Sequence, residues 1–249
     1  MLVRRVCVEF RRRQRRPPGS GATVVAFVSV GPYHRIAFDE AVLNGLLRAR
    51  GHPVANSNPV KIEGLWKEGF ALDVHTLSSD YLGDDEFGHA IFRTTRTELG
   101  ELLYRLKYQG DASAIDGIVD AASAFLRSWN PGADVIVPVP PTRATRPHQP
   151  VVTLATALGA RLGLPVHSDC VRLRKEIPEL KDVFDFAARL RLLEDAHEVD
   201  PTVVAGRRVL LFDDLFRSGA TMNAITRGLR AAGAADVFAL AVTRSRSKR

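Results

Sequence analysis

Val209-Leu-Leu-Phe-Asp-Asp-Leu-Phe-Arg-Ser-Gly-Ala-Thr221 is the stretch whose reading decides the fold class. Val209 to Phe212 is a continuous apolar run without polar alternation, the pattern of a strand covered on both faces of a parallel sheet. Such a strand delivers its C-terminal end to the ligand crevice of an open α/β sheet. Asp213 and Asp214 stand at that end, acceptor-only when ionised and suited to gripping vicinal hydroxyls of a sugar. In Arg217-Ser218-Gly219-Ala220-Thr221 the small side chains let backbone N–H groups approach an anion, and the Ser and Thr hydroxyls can donate as well. Met222, Ile225, Leu229 and Ala232 then recur at helical spacing with Gly233 as the stop, so a helix is expected from about Thr221. Its positive end points at the same turn. Carboxylates for a diol and amides for a phosphate thus lie next to each other. No Gly-Lys-Ser/Thr loop and no Gly-x-Gly-x-x-Gly turn occurs, which argues against nucleoside triphosphate and dinucleotide sites.

Outward from this segment, Asp134 to Val139 is apolar and β-branched, a second buried strand, and Pro138, Pro140 and Pro141 end regular pairing and stiffen the loop after it. That loop carries Arg143 and Arg146. Val152, Leu154, Ala155, Leu158 and Leu162 give the following segment helical periodicity, completing a βα unit. Upstream, Leu99, Leu102, Leu103 and Leu106 mark a helix that Lys107 and Tyr108 close. Phe70, Leu72 and Val74 alternate with Ala71, Asp73 and His75, as in a half-buried strand. Asp73, His75, Asp84, Asp85, Glu86 and His89 lie at spacings that match no standard metal motif, so no metal site is assigned. They read equally as part of a base-recognition element or as solvated turns.

The Val209–Thr221 segment resembles the phosphoribosyl pyrophosphate (PRPP) signature of type I phosphoribosyltransferases, and the wider chain resembles the ComF-like branch of that superfamily. Glu101-Leu-Leu-Tyr-Arg-Leu-Lys-Tyr-Gln-Gly-Asp111, Val135-Ile-Val-Pro-Val-Pro-Pro141 and Leu180-Lys-Asp-Val-Phe-Asp-Phe-Ala-Ala-Arg189 carry the branch resemblance. It implies an α/β fold: an open, mainly parallel twisted sheet flanked by helices, with a small hood element. It also implies a Mg2+-dependent pentosyltransferase that moves the phosphoribosyl group of PRPP to a nitrogenous base or related amine and releases pyrophosphate. The Mg2+ would be carried on the diphosphate of PRPP. Asp213 and Asp214 would be catalytic, and Arg217, Ser218, Gly219, Ala220 and Thr221 would bind the 5-phosphate. Pro140, Arg143 and Arg146 would form the pyrophosphate loop, although two arginines are equally at home in a solvated basic loop. Lys107 would face the diphosphate or merely favour the helix dipole. Arg174 and Lys175, after Arg172, would open a mobile hood or a basic surface hairpin. The alternative function is a non-catalytic PRPP or nucleotide sensor, or a DNA-uptake or DNA-processing accessory of ComF type. ComF proteins often carry an N-terminal zinc ribbon, and no paired Cys-x-x-Cys occurs in this sequence. Type I relatives commonly form dimers, so a homodimer is a candidate state.

The remaining composition sets bounds. With 249 residues and 45% hydrophobic content, one or two domains with a genuine core are expected. The organisation read from the sequence is an arginine-rich extension over 1–58, a hood or base-recognition element over 59–95, a phosphoribosyltransferase-like α/β domain over 96–244 and a basic tail over 245–249. Arginines 4, 5, 11, 12, 13, 15 and 16 against Glu9 supply +6 of the formal net charge of +7. The rest of the chain is close to neutral, which confines nucleic-acid binding to that block. The block also reads as a targeting extension or as sequence upstream of the true start. Apolar runs are strand-sized, too short for a membrane span. Cys7 and Cys170, the two cysteines, form no pairing pattern, and a cytoplasmic location is expected.

Overall fold

The computed structural model describes residues 26–29, 35–38, 55–141, 149–174 and 196–246. Arg143, Arg146, Lys175, the Leu180–Arg189 stretch, the arginine block at 1–16 and residues 247–249 lie outside them. The chain divides into two compact units, Met1–Val54 and Ala55–Arg249. In the first, β1 (Ala26–Ser29) and β2 (Arg35–Phe38) pair antiparallel.

The second unit runs β3 (Val60–Lys61), β4 (Glu68–Val74), β5 (Thr76–Asp84), β6 (Ala90–Arg96), α1 (Glu98–Tyr104), a π-helical turn (Arg105–Gln109), α2 (Ala114–Trp129), β7 (Val135–Pro138), α3 (Pro150–Leu162), β8 (Val171–Leu173), β9 (His197–Val199), α4 (Pro201–Val204), β10 (Arg208–Phe216), α5 (Ala220–Ala231) and β11 (Asp236–Arg244). Five strands form the central sheet in the order β3-β4-β11-β10-β7. All its neighbours pair parallel except β3 with β4. The expected open, mainly parallel α/β sheet is the one observed.

Strand alternation sorts the core into two layers. Leu72, Ile136, Leu210, Phe212, Leu240 and Val242 face α1, α2 and α3, where Leu99, Leu103, Ile118, Leu154 and Leu158 meet them. Ala71, Val135, Val137, Val209, Leu211 and Ala239 face the other way, against Met222, Ile225 and Leu229 of α5, Val204 of α4, and Ile62 and Trp66. Both faces of β10 are covered, as its unbroken apolar run requires.

Three features differ from the sequence reading. First, residues 59–95, expected as a hood or base-recognition element, do not form one structural element. β4 lies inside the central sheet with β11 beside it, while only the β5–β6 hairpin stands apart as its own two-stranded ladder. The alternation at 70–75 concealed this because Ala71, Leu72 and Asp73 are all buried, as suits a strand inside the sheet with both faces packed. Second, β10 does not stop at Phe212 but continues through Phe216, held by Leu215 opposite Thr243 and Phe216 opposite Arg244. Third, the helix over Leu99–Tyr108 changes pitch: α1 passes into the π turn at Arg105, closed by Gly110 at φ 67°. Thr97 anchors this helix to β4, its Oγ1 accepting from Gly100 N at 3.0 Å and donating to Val74 O at 2.7 Å.

Candidate functional site

β7 ends before β10 does. Their register runs out at Phe212 opposite Pro138, and one further bond, Val139 N donating to Phe212 O at 2.8 Å, closes the ladder. Pro140 and Pro141 have no N–H to extend it. Asp213 to Phe216 therefore project beyond β7, paired only to β11. Asp213 and Asp214 stand in this notch, at the C-terminal side of the parallel strands.

Consecutive strand residues point to opposite faces. Asp214 turns toward the π turn, where its Oδ2 lies 2.8 Å from Lys107 Nζ, with the two side chains 9% and 15% exposed. The change of pitch after α1 puts Lys107 within reach of a strand far along the chain. Asp213 is half-buried, and its Oδ1 accepts from Asp214 N at 2.8 Å. Desolvation and then the charge of Asp214 push the Asp213 carboxyl up to about 7, against the opposing pull of the Asp214 N–H and Lys107.

That shift carries a stability consequence. A carboxyl whose folded value exceeds its unfolded one binds a proton on folding. Its favourable contribution is therefore full below the ordinary carboxylate range and is lost as pH rises through about 7. Asp213→Asn removes the titrating charge without changing shape. Its gain in Tm over the wild type should be larger at pH 8 than at pH 5 in paired thermal melts, and an equal gain at both would show that Asp213 ionises freely in the fold.

The turn that follows leads into a helix whose start carries no side-chain cap. Arg217 and Ser218 are exposed, while Gly219 and Ala220 are buried. Gly219 adopts φ 76° at the N-cap of α5, and no side-chain bond caps the helix. The first N–H groups of α5 are thus free of a side-chain acceptor and face the turn. A Cβ on Gly219 would lie 2.9 Å from the Phe216 ring, in a conformation that L residues rarely adopt.

His75, at the end of β4, belongs to the same surroundings. Its Nδ1 lies 3.1 Å from Thr243 Oγ1 on β11. Burial lowers its pKa, helped by the positive charges of Arg96, Lys107 and Arg217 and opposed by Asp214, so the ring is neutral at pH 7. Asp85 and His89 instead sit at the β5–β6 tip, where Asp85 accepts from Phe87 N at 2.9 Å and from His89 N at 2.8 Å. Among the described residues no three His, Cys, Asp or Glu converge on a point that could hold a metal. Arg174 is exposed after β8, its N–H on Ala196 O at 2.9 Å, beside the small β8–β9 ladder.

The structure thus brings together Asp213, Asp214, Lys107 and the Arg217–Thr221 turn. The sequence reading missed Thr243 and Asn223. The latter is a polar residue on the buried side of α5, and that misplaced polarity is the signal that could have revealed it.

No family model matches the chain. Over 148 residues it is 30% identical to the Competence protein ComFC of Bacillus subtilis (strain 168), a match covering 58% of this chain and 59% of that protein, hence less than two thirds of the relative's length. The ComF-like resemblance read from the stretches 101–111, 135–141 and 180–189 agrees with this similarity. Among solved structures, the chain is similar to a glutamine PRPP amidotransferase from B. subtilis complexed with ADP and GMP, at 18% identity and TM-score 0.42 over 64% of this chain and 34% of that one. It is also similar to an APRTase from Giardia lamblia complexed with 9-deazaadenine, at 14% identity and TM-score 0.40 over 68% and 94%. No helix of the described residues is long and apolar enough to cross a membrane.

Proposed function

We propose that this chain binds PRPP in the β7–β10 notch and transfers its phosphoribosyl group to a nitrogenous base or related amine, releasing pyrophosphate. The observation that carries this reading is the pair of carboxylates at the end of β10, followed without interruption by the Gly219 turn and the uncapped start of α5. In this role the amides and hydroxyls of Ser218–Thr221, with Arg217, hold the 5-phosphate. Asp213 and Asp214 accept hydrogen bonds from the ribose hydroxyls and stabilise positive charge as the bond from C1 to the diphosphate oxygen breaks and a bond from C1 to the acceptor nitrogen forms. Lys107 must exchange its contact with Asp214 for the ligand, and the diphosphate is the anion that suits it. Arg143 and Arg146 are proposed for the departing pyrophosphate on the resemblance alone, with Pro140 fixing where their loop begins.

Two adjacent carboxylates are hard oxygen donors, and they fit a Mg2+ ion that arrives on phosphate oxygens rather than in a protein cage. When bound, the ion neutralises charge on the leaving diphosphate. The cytoplasmic setting is proposed from the sequence, where Cys7 and Cys170 form no pairing pattern.

The similarity to a competence protein favours a second reading, a PRPP-binding accessory to DNA handling that does no chemistry. One assay separates them. Given PRPP, Mg2+ and a panel of purine, pyrimidine and amine acceptors, the transferase releases pyrophosphate with at least one of them. Calorimetric PRPP binding without release across the panel would leave the sensor reading standing.

A further inference from the structure

The phosphate turn does not set its own shape. Arg217 and Ser218 are exposed, Gly219 is conformationally permissive, and no side chain caps α5. Its rigidity has to come from behind, and a closed circuit of contacts supplies it.

Asn223, 8% exposed in the first turns of α5, is the centre of that circuit. Its Nδ2 donates to Gly219 O at 2.9 Å, and its backbone N donates to the same oxygen at 2.8 Å. Its Oδ1 accepts from Leu65 N at 2.7 Å, 158 residues away in sequence. A carbonyl on one side and an N–H on the other admit only one orientation of the amide.

Leu65 is held in turn. Ile62 N donates to Gly69 O at 2.9 Å, and Trp66 Nε1 donates to Ile62 O at 2.9 Å. The indole folds over Gly64 and Gly69, where any Cβ would collide with it. Its edge meets Phe216 at 6.1 Å between centroids and an interplanar angle of 83°. Phe216 ends β10 and lies directly against Gly219. The path from Trp66 through Phe216 and Gly219 to Asn223 and Leu65 encloses the back of the turn.

We infer that Asn223 and the Ile62–Trp66 segment form the positioning brace of the phosphate turn, preorganising the amides at 218–221 for an anion that neither of them touches. Asn223 is a positioning residue, and the inference rests on the phosphoribosyl reading of that turn. Preorganised donors avoid the ordering cost that a loose loop meets on binding.

The test is calorimetry of the full chain with Mg2+, using ribose 5-phosphate, PRPP and inorganic pyrophosphate as probes, alongside amide hydrogen exchange at 218–221 without ligand. Asn223→Ala is expected to weaken ribose 5-phosphate and PRPP by a common factor of about ten or more, to leave pyrophosphate affinity unchanged, and to speed exchange at Gly219 and Ala220. Trp66→Phe, which keeps an aromatic ring but loses the bond to Ile62 and part of the cover over Gly64, is expected to show the same selective pattern at a few-fold. It serves if Asn223→Ala fails to fold. Folded variants with wild-type ribose 5-phosphate affinity, or with equal losses for all three probes, overturn the brace. Should the wild type bind none of the probes, the phosphoribosyl reading falls, and unchanged exchange at 218–221 in the variants then overturns the brace independently.

Discussion

Replacing Asp213 and Asp214 together by asparagine is expected to weaken PRPP binding by about a hundredfold to ten-thousandfold, leaving no measurable heat in calorimetry at micromolar protein. The magnitude follows from the kind of bond lost. A hydrogen bond to a charged acceptor contributes about 1.5–3 kcal/mol, and the diol would make one to each carboxylate. Asparagine keeps the volume and one carbonyl acceptor but removes both charges, so what disappears is electrostatic rather than steric. It also removes the like-charge repulsion that raises Asp213. The double variant also leaves Lys107 without its anion, so circular dichroism establishes that it folds before titration. A folded double variant that binds PRPP as the wild type does would reject the assignment of the notch.

Lys107→Met is expected to cost about 3–5 kcal/mol of stability, because it strands the Asp214 carboxylate without its cation. The Lys107–Asp214 contact at 2.8 Å joins side chains only 15% and 9% exposed, so water cannot easily replace the ammonium. For a unit of this size that loss lowers Tm by about 10 °C. The compensating change identifies the cause: adding Asp214→Asn to Lys107→Met should recover most of the loss, since no buried charge then lacks a partner. A loss under about 1 kcal/mol in urea titrations, or no recovery in the double variant, would show that Asp214 is sustained by something other than Lys107. The pair also bears on binding. Lys107 occupies one of the acids proposed for the ribose, so a ligand must offer the lysine a better anion than Asp214. A diphosphate does so, and a plain nucleoside does not.

Much of this site was legible before any coordinates. The apolar run at Val209–Phe212, the acid pair, the glycine at 219 and the helical spacing from Met222 to Leu229 are short-range patterns, and each predicts its local conformation through period, propensity or steric permission. The βα unit at Val135 to Leu162 was legible for the same reason. The extension of β10 to Phe216 was not, because Leu215 and Phe216 continue as strand only through β11 opposite them. Nor was the place of β4: its alternating residues describe a half-covered strand, while packing on both faces buries Leu72 on one side and Ala71 on the other.

From its residues alone this chain specifies a buried parallel strand that runs into two acids, and beyond them a glycine turn into a helix, because each of those steps is governed by neighbours a few positions away. That Asp214 meets Lys107 and that Asn223 ties Leu65 to Gly219 depend on which strands lie side by side and where β7 stops. Contacts between distant segments follow from sheet order and register, and no local pattern of side chains encodes them.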